Sequence, residues 1–471
     1  MQKRIVSIVA FILVVAASFY LGTFVNTPSG ETNLVFDEVM NQLLDNHYTK
    51  PTEEELWQGA IDGILDSVDD PYTSYFDYDE FDTYRSSFGE TYVGIGITVV
   101  FQDDRIVVEE VKAGGPADNA GILPNDIIIE VESEDITSMS FYEAISNIVG
   151  EEDTEVSIGL IRQGVENIIT LTMSRTVIVN STVTYTTYNV GTETIGYIYV
   201  STFGDATAEL FTAAVLDLEE AGIDGLVVDL RNNGGGHLGT VVSMLQEFLV
   251  NDGREMFSIE YYAEGVFKRD EFFGSLDAKK SYDIVTLVNG NSASASEVFA
   301  SAMQEHGEYP VVGTTTFGKG TMQLDIKLQE DESDFIHLTI GKWLTADGNW
   351  VHFDGGTDGV IPDVIVEQSS TELAYKLFFA ADESLGFDTV DHRTENLQVI
   401  LNAMGYTVRE DGYFDQETKD AIIDIQTNNS LTITGDVDSE VLVIINEFLT
   451  TYKNDYLNDS QLAASLNIFD E

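Results

Sequence analysis

The chain has 471 residues, 43% hydrophobic and 11% aromatic, which is enough for about three cored domains and argues against wholesale disorder. Its 82 acidic residues against 22 Lys and Arg give a net charge of −60, a field that repels phosphate backbones and argues against nucleic-acid binding. There are no cysteines, which excludes disulfides and thiolate chemistry, and six scattered histidines without an HExxH pattern argue against a metal site.

Lys3 and Arg4 precede an uncharged run, Ile5–Val25. As a helix it would be ~31 Å long at ~1.5 Å per residue, enough to cross a bilayer with residues 1–4 in the cytoplasm. A cleaved signal peptide is the alternative reading of the same run. Residues 26–88 read as helical. Phe36, Val39, Met40 and Leu43 form one apolar stripe, and Thr52-x-x-Glu55 is a capping box opening a second helix. Residues 89–176 form a small β-rich module, with strands expected at Ile97–Phe101, Arg105–Val111, Asp126–Ser133, Glu155–Arg162 and Ile168–Arg175. Short helices are expected there near Pro116 and Ser140. From 177 to 380 strands and helices alternate as βαβ units, whose sites sit at strand C-terminal ends. The expected strands are Thr194–Phe203, Gly225–Leu230, Asp283–Asn289 and Pro310–Thr314. The expected helices are Ala206–Ala221, His237–Val250 and Ser294–His306. A hairpin, Thr321–Gln329 with Phe335–Thr345, turns at Glu330-Asp331-Glu332. A polar stretch, 381–394, reads as a linker, and 395–471 as a small helical unit with stripes through Leu397, Ala421 and Leu442.

Three segments carry chemistry. The strand Asp283–Asn289 runs into a serine-rich turn, Ser292-Ala293-Ser294-Ala295-Ser296-Glu297, and then a helix, so a serine stands beside free amides able to stabilise an oxyanion. Ser294-x-x-Glu297 is equally a plain capping box. Lys319, between Gly318 and Gly320, reads as an exposed turn residue or as a desolvated general base to a serine. Gln323 lies on the same face as Lys319 in an extended segment. Asp229–Gly236 ends in three glycines between a buried strand and a helix, which permits close backbone approach to a ligand.

In their order and spacing these segments resemble the C-terminal processing peptidases, or tail-specific serine proteases, over nearly the whole chain. The resemblance implies an α/β core with a mixed sheet and βαβ units, of the crotonase/Clp-protease kind, beside a PDZ domain and small all-α end domains. Carried over, Ser294 is the nucleophile, Lys319 the general base and Gln323 its orienter, with the backbone amides of Gly236 and Ala295 as oxyanion hole. The family pattern, not the spacing, selects Ser294 over Ser292 and Ser296. His237, beside the glycine turn, is the alternative base; His306 lies ~18 Å along the same helix, too far. Gly234, Trp343 and Ala346 depart from the family pattern, and neither Trp343 nor Ala346 is expected to touch the dyad.

The β-rich module resembles a PDZ domain whose carboxylate-binding loop would be Val93, Gly94, Ile95 and Gly96. Residues 395–471 resemble a peptidoglycan-binding domain, with a docking or dimerisation unit as the alternative. The implied protein is a membrane-anchored, extracytoplasmic serine endopeptidase acting on substrates with exposed C-terminal tails. It would need no cofactor or metal, and would pair as a homodimer through its terminal helices. A catalytically silent PDZ and cell-wall adaptor is the rival. A chain ending near residue 380 is expected to lose its binding to cell walls, which leaves room for it to keep the peptidase activity; loss of activity together with assembly would support the docking alternative.

Overall fold

The computed structural model describes residues 34–470 except 78–79, 82–83, 86–90, 103–104, 140, 163–164, 166, 180, 264, 329–333 and 380–382. The anchor expected at Ile5–Val25 and the hairpin tip lie outside the described residues. Among those described, no helix is long and apolar enough to cross a membrane. The chain forms two compact units. One comprises the described residues up to Phe81 with Ile259–Asp270 and Thr321–Lys342, and the other holds the remainder.

In the first unit, helices Leu34–Asn46 and Glu53–Asp66 meet through Phe36 and Trp57, whose rings lie 5.5 Å apart. The expected capping box forms: Glu55 N–H donates to Thr52 Oγ1 at 3.1 Å and Thr52 N–H to Glu55 Oε2 at 2.7 Å. The apolar stripes are largely uncovered, with Val39, Trp57 and Ile64 all exposed. The region is not helical throughout. Ser74–Phe76 is a strand antiparallel to Phe335–His337, and Phe81 stacks on Phe335 at 3.7 Å. The expected hairpin pairs Thr321–Lys327 with Phe335–Thr345 and slips register between Met322 and Gln323. Two strands that the periodicity did not reveal, Glu255–Ala263 and Val266–Phe273, complete this sheet.

In the second unit the β-rich module is an antiparallel sheet in the order Ile97–Gln102, Arg105–Val111, Ile127–Val131, Glu155–Ile161, Ile169–Ser174, each strand within two residues of expectation at either end. Ile95, Val108, Ile128, Ile158 and Leu160 fill its core. Thr91–Gly94 pairs with Thr176–Val179, tying the module's two ends together.

The second sheet is the six-stranded core: Val183–Val190, Glu193–Val200, Gly225–Asp229, Asp283–Val288, Val311–Gly313 and Val364–Ile365. Its first pair is antiparallel and the rest parallel, the expected mixed sheet. Parallel strands need covered faces. One face packs against the helices through Phe203, Phe211, Phe248 and Phe299, all fully buried. The other presents Ile195, Val227, Val285, Leu287 and Val312 to Leu462 and Leu466 of helix Ser460–Asn467. The end of the segment expected as one helical unit, 395–471, is thus a covering layer of the six-stranded sheet.

The helical unit consists of His392–Ala403, Gln416–Asn428 and Ser439–Asn454. Two buried glutamines repeat one device. Gln398 Oε1 accepts from the amides of Asp411 and Gly412, and Gln426 Oε1 from those of Thr434 and Gly435. Each thereby fixes the turn before the next helix. The segment 381–394 is not a detached linker: Leu385 is buried in this unit's core and bridges to Val437, while Val390 bridges to Tyr413. Arg105 of the β-rich module is bidentate to Glu383, and Phe378 packs against Val107 and Ile127.

Candidate active site

Two strands of the core sheet end at the same place. Asn233, fully buried after Gly225–Asp229, donates through Nδ2 to Val200 O at 2.9 Å and accepts the Gly235 amide at Oδ1. Its carbonyl accepts from Ala293 N at 3.1 Å and Ser296 Oγ at 2.7 Å, so the glycine turn and the serine turn share one anchor. Ser292 Oγ donates to Leu230 O at 2.8 Å and accepts from Asn289 N. Ser292 and Ser296 are therefore buried and occupied structurally. Ser294 alone of the three is partly open, and its backbone stands at φ 55°, ψ −112°, a conformation costly for a residue with a Cβ. Sequence spacing did not separate the three serines, but these hydrogen bonds do.

Glu297, fully buried, is more than a cap. Its carboxylate accepts from Ser294 N at 2.8 Å, Thr316 Oγ1 at 2.6 Å, Gly318 N at 2.7 Å and Lys319 N at 2.8 Å. Burial pushes its pKa up, and the four hydrogen bonds pull against that without cancelling it. One side chain thus joins the serine turn to the lysine segment.

The segment Gly318-Lys319-Gly320 has every backbone polar group paired. Besides the two amides on Glu297, Gly318 O accepts from Phe353 N at 3.0 Å and Lys319 O from Trp343 Nε1 at 3.0 Å. Gly320 O accepts from Trp350 Nε1 at 2.9 Å, and Gly320 N donates to His352 Nδ1 at 3.2 Å. Both glycines are required here. Gly318 has φ +89°, and a Cβ on Gly320 would lie 2.2 Å from Val351 O. Contrary to expectation, Trp343 does reach the lysine, through its backbone carbonyl.

Among the described residues nothing accepts the Gly236 or Ala295 amides. A Cβ on Gly235 would lie 3.0 Å from Ser294 Cβ, so the glycine turn abuts the serine. Gln323 belongs to the first unit, where its amide donates to Thr321 Oγ1 at 2.9 Å and Thr339 Oγ1 at 3.1 Å. His306 is buried with Nε2 on Val250 O at 3.0 Å, and His237 stands just before the helix Leu238–Leu245, without a side-chain capping bond, with Asp205 3.3 Å away. In the β-rich module Gly94, Ile95 and Gly96 are buried and Val93 half-buried. Gly96 has φ +79°, and the strand that follows, Ile97–Gln102, lies at the sheet edge.

Arg231, at the exit of strand Gly225–Asp229, lies between Asp229 and Asp459, each at 2.7 Å. Burial opposes its charge, but the two carboxylates outweigh that and hold it ionised. Sequence reading missed Arg231, Asn233, Glu297, Trp343, Trp350 and His352 as parts of the site. Glu297 stood in a local signal that also described a helix cap, and Arg231 and Asn233 stood within the named segment Asp229–Gly236 without roles of their own.

The sequence profile of Peptidase family S41 matches residues 194–366, that of the PDZ domain 93–173 and that of a peptidoglycan binding domain 392–445. That of the activating protease CtpB N-terminal domain matches 32–80. The chain is 34% identical to the carboxy-terminal processing protease CtpB of Bacillus subtilis (strain 168) over 90% of its length and 86% of the relative's. It is 31% identical to CtpA of the same organism, over 91% and 88%. Among solved structures, a photosystem II D1 C-terminal processing protease is 25% identical, with TM-score 0.43 over 71% of this chain and 94% of that one. With an S41 core, a PDZ domain and such identity to CtpB across most of both chains, the protein belongs to the carboxy-terminal processing serine proteases of peptidase family S41.

Proposed function

We propose that this protease works by a Ser-Lys acyl-enzyme mechanism on proteins presented by their C-terminal tails. Ser294 Oγ attacks the peptide carbonyl and its proton passes to neutral Lys319 Nζ, which then delivers it to the leaving amine. The amides of Gly236 and Ala295 receive the developing oxyanion. Gln323 orients Lys319, and water releases the acyl group by the reverse steps. The observation that carries this reading is the Glu297 carboxylate, which fixes the serine turn and the lysine segment to one group while Ser292 and Ser296 are otherwise engaged. The Val93–Gly96 loop takes the substrate's carboxylate, and the tail adds as a strand to the edge at Ile97–Gln102. The alternating βαβ core fits a crotonase/Clp-like scaffold. The uncharged run Ile5–Val25 anchors the chain with its catalytic part outside the cytoplasm, and the helical unit holds it to peptidoglycan. The uncovered stripes on Leu34–Asn46 and Glu53–Asp66 pair two copies.

The test is peptide turnover by purified, folded variants. Ser294→Ala and Lys319→Ala should each abolish it, and the double variant should resemble either single one. Gln323→Ala should lose less, and His237→Ala should leave the mechanism intact. Wild-type kcat should rise with pH as Lys319 loses its proton. A folded Lys319→Ala protein at wild-type rate would overturn the assignment.

A further inference from the structure

The only backbone amide of the lysine segment not received by Glu297 is received by an imidazole. Gly320 N donates to His352 Nδ1 at 3.2 Å in a buried site, so Nδ1 must be the unprotonated nitrogen of the ring. The ring is stacked on Trp350, centroids 4.6 Å apart at 24°, and packs on Phe353 at 4.7 Å. Trp350 in turn donates to Gly320 O. Residues 350–353 therefore close a frame around the segment whose other side is Glu297, and Gly320 has no side chain with which to hold itself in place.

We propose that His352 is a positioning residue for the hydrolytic reaction: its Nδ1 acceptor sets the plane of the peptide after Lys319 and hence where the lysine side chain points. The proposal rests on the reading of Lys319 as the base. A general base contributes only while it is within hydrogen-bond reach of the proton it takes, so a small rotation of its own backbone lowers turnover without altering substrate affinity. Lys319 O and Gly320 N belong to the peptide after Lys319 and Gly320 O to the next one, and Trp343, His352 and Trp350 hold one each.

Two substitutions separate the acceptor from the packing. His352→Asn keeps an acceptor near Nδ1 and gives up the stacked ring; His352→Phe keeps the ring and gives up the acceptor. Each is measured for kcat and KM on a fluorogenic peptide, for the rate of Ser294 labelling by a fluorophosphonate, and for thermal unfolding. The expected result is a fall in kcat of about tenfold or more in His352→Phe, as for one lost hydrogen bond of ~1.4 kcal/mol. KM should stay within about twofold and labelling should slow in step, while His352→Asn stays within about threefold of wild type. Wild-type kcat in His352→Phe, or Asn slower than Phe, overturns the proposal. Should Phe fail to fold, His352→Leu replaces it in the same comparison. Lys319→Ala runs alongside. If it is dead while His352→Phe is fully active, only the role of His352 falls; if Lys319→Ala is active, the Ser-Lys reading itself falls.

Discussion

At the scale of single residues, the site depends on side chains that satisfy backbone groups. Glu297 receives four donors, and a carboxylate offers about four lone-pair sites for them. Glu297→Gln keeps the shape but turns one end into a donor facing donors. Each buried group left unpaired costs ~1–3 kcal/mol, so kcat should fall at least about a hundredfold and the melting temperature should drop by several degrees. Wild-type kcat with an unchanged melt would show that the carboxylate positions nothing. Gly96 carries a different constraint. Its φ of +79° disfavours any side chain, and a Cβ there would lie 3.3 Å from Ile178. Gly96→Val should cut cleavage of a tailed substrate far more than cleavage of a short untailed peptide. Equal losses would point to misfolding or gating. Both glycine and glutamate were visible in the sequence as residue types in a pattern. That Glu297 serves two segments twenty or so residues apart was not, because the pairing is made by the return of the chain.

At the scale of elements, helix Ser460–Asn467 changes what a truncation should do. Leu462 and Leu466 cover Val227, Val285 and Leu287, and Asp459 holds Arg231 beside the glycine turn. A chain ending near residue 380 is therefore expected to lose activity rather than keep it. Leu462→Ala should cost ~2–5 kcal/mol by cavity formation, read from urea unfolding followed by tryptophan fluorescence. An unchanged midpoint would mean that the helix is only resting on the sheet. In the helical unit, Asp391 caps helix His392–Ala403 and bonds Arg393 at 2.7 Å. The Arg393 hydrogen bond holds the carboxyl below its free value of 3.8. Since the folded pKa is depressed, this contribution is present above that value and lost as pH falls through the folded one. Asp391→Asn keeps the cap and removes the charge. Amide exchange across the helix should speed up by up to a few fold at pH 7, as for a pair worth ~1 kcal/mol or less, and by less at pH 3. An effect of equal size at both pH values would exclude the ion pair as its origin.

At the scale of the whole molecule, a net charge of −60 repels itself, and salt shortens the range of that repulsion to about 10 Å at 0.1 M. Unfolding should therefore move to higher temperature as NaCl rises from 0.05 to 0.5 M, by several degrees in a calorimetric scan. A flat response would mean that cations already neutralise the surface or that the acids are spaced too widely to matter.

The sequence by itself determined the layout of local elements and the family. Buried strands such as Asp283–Val288, the helix cap at Thr52 and the turns at Gly222 and Gly412 are written in neighbouring residues, where propensity and periodicity act. The motif order then pointed to the peptidase family, whose pattern selects Ser294, but the spacing did not show which of the three serines is open. Only the tertiary structure decided that Ser292 and Ser296 are occupied, that Trp343, Trp350 and His352 frame the lysine, and that the chain's last helix returns to cover the core sheet. These contacts join residues far apart in the chain, and their energy comes from burying groups that the sequence cannot place together before the core has closed.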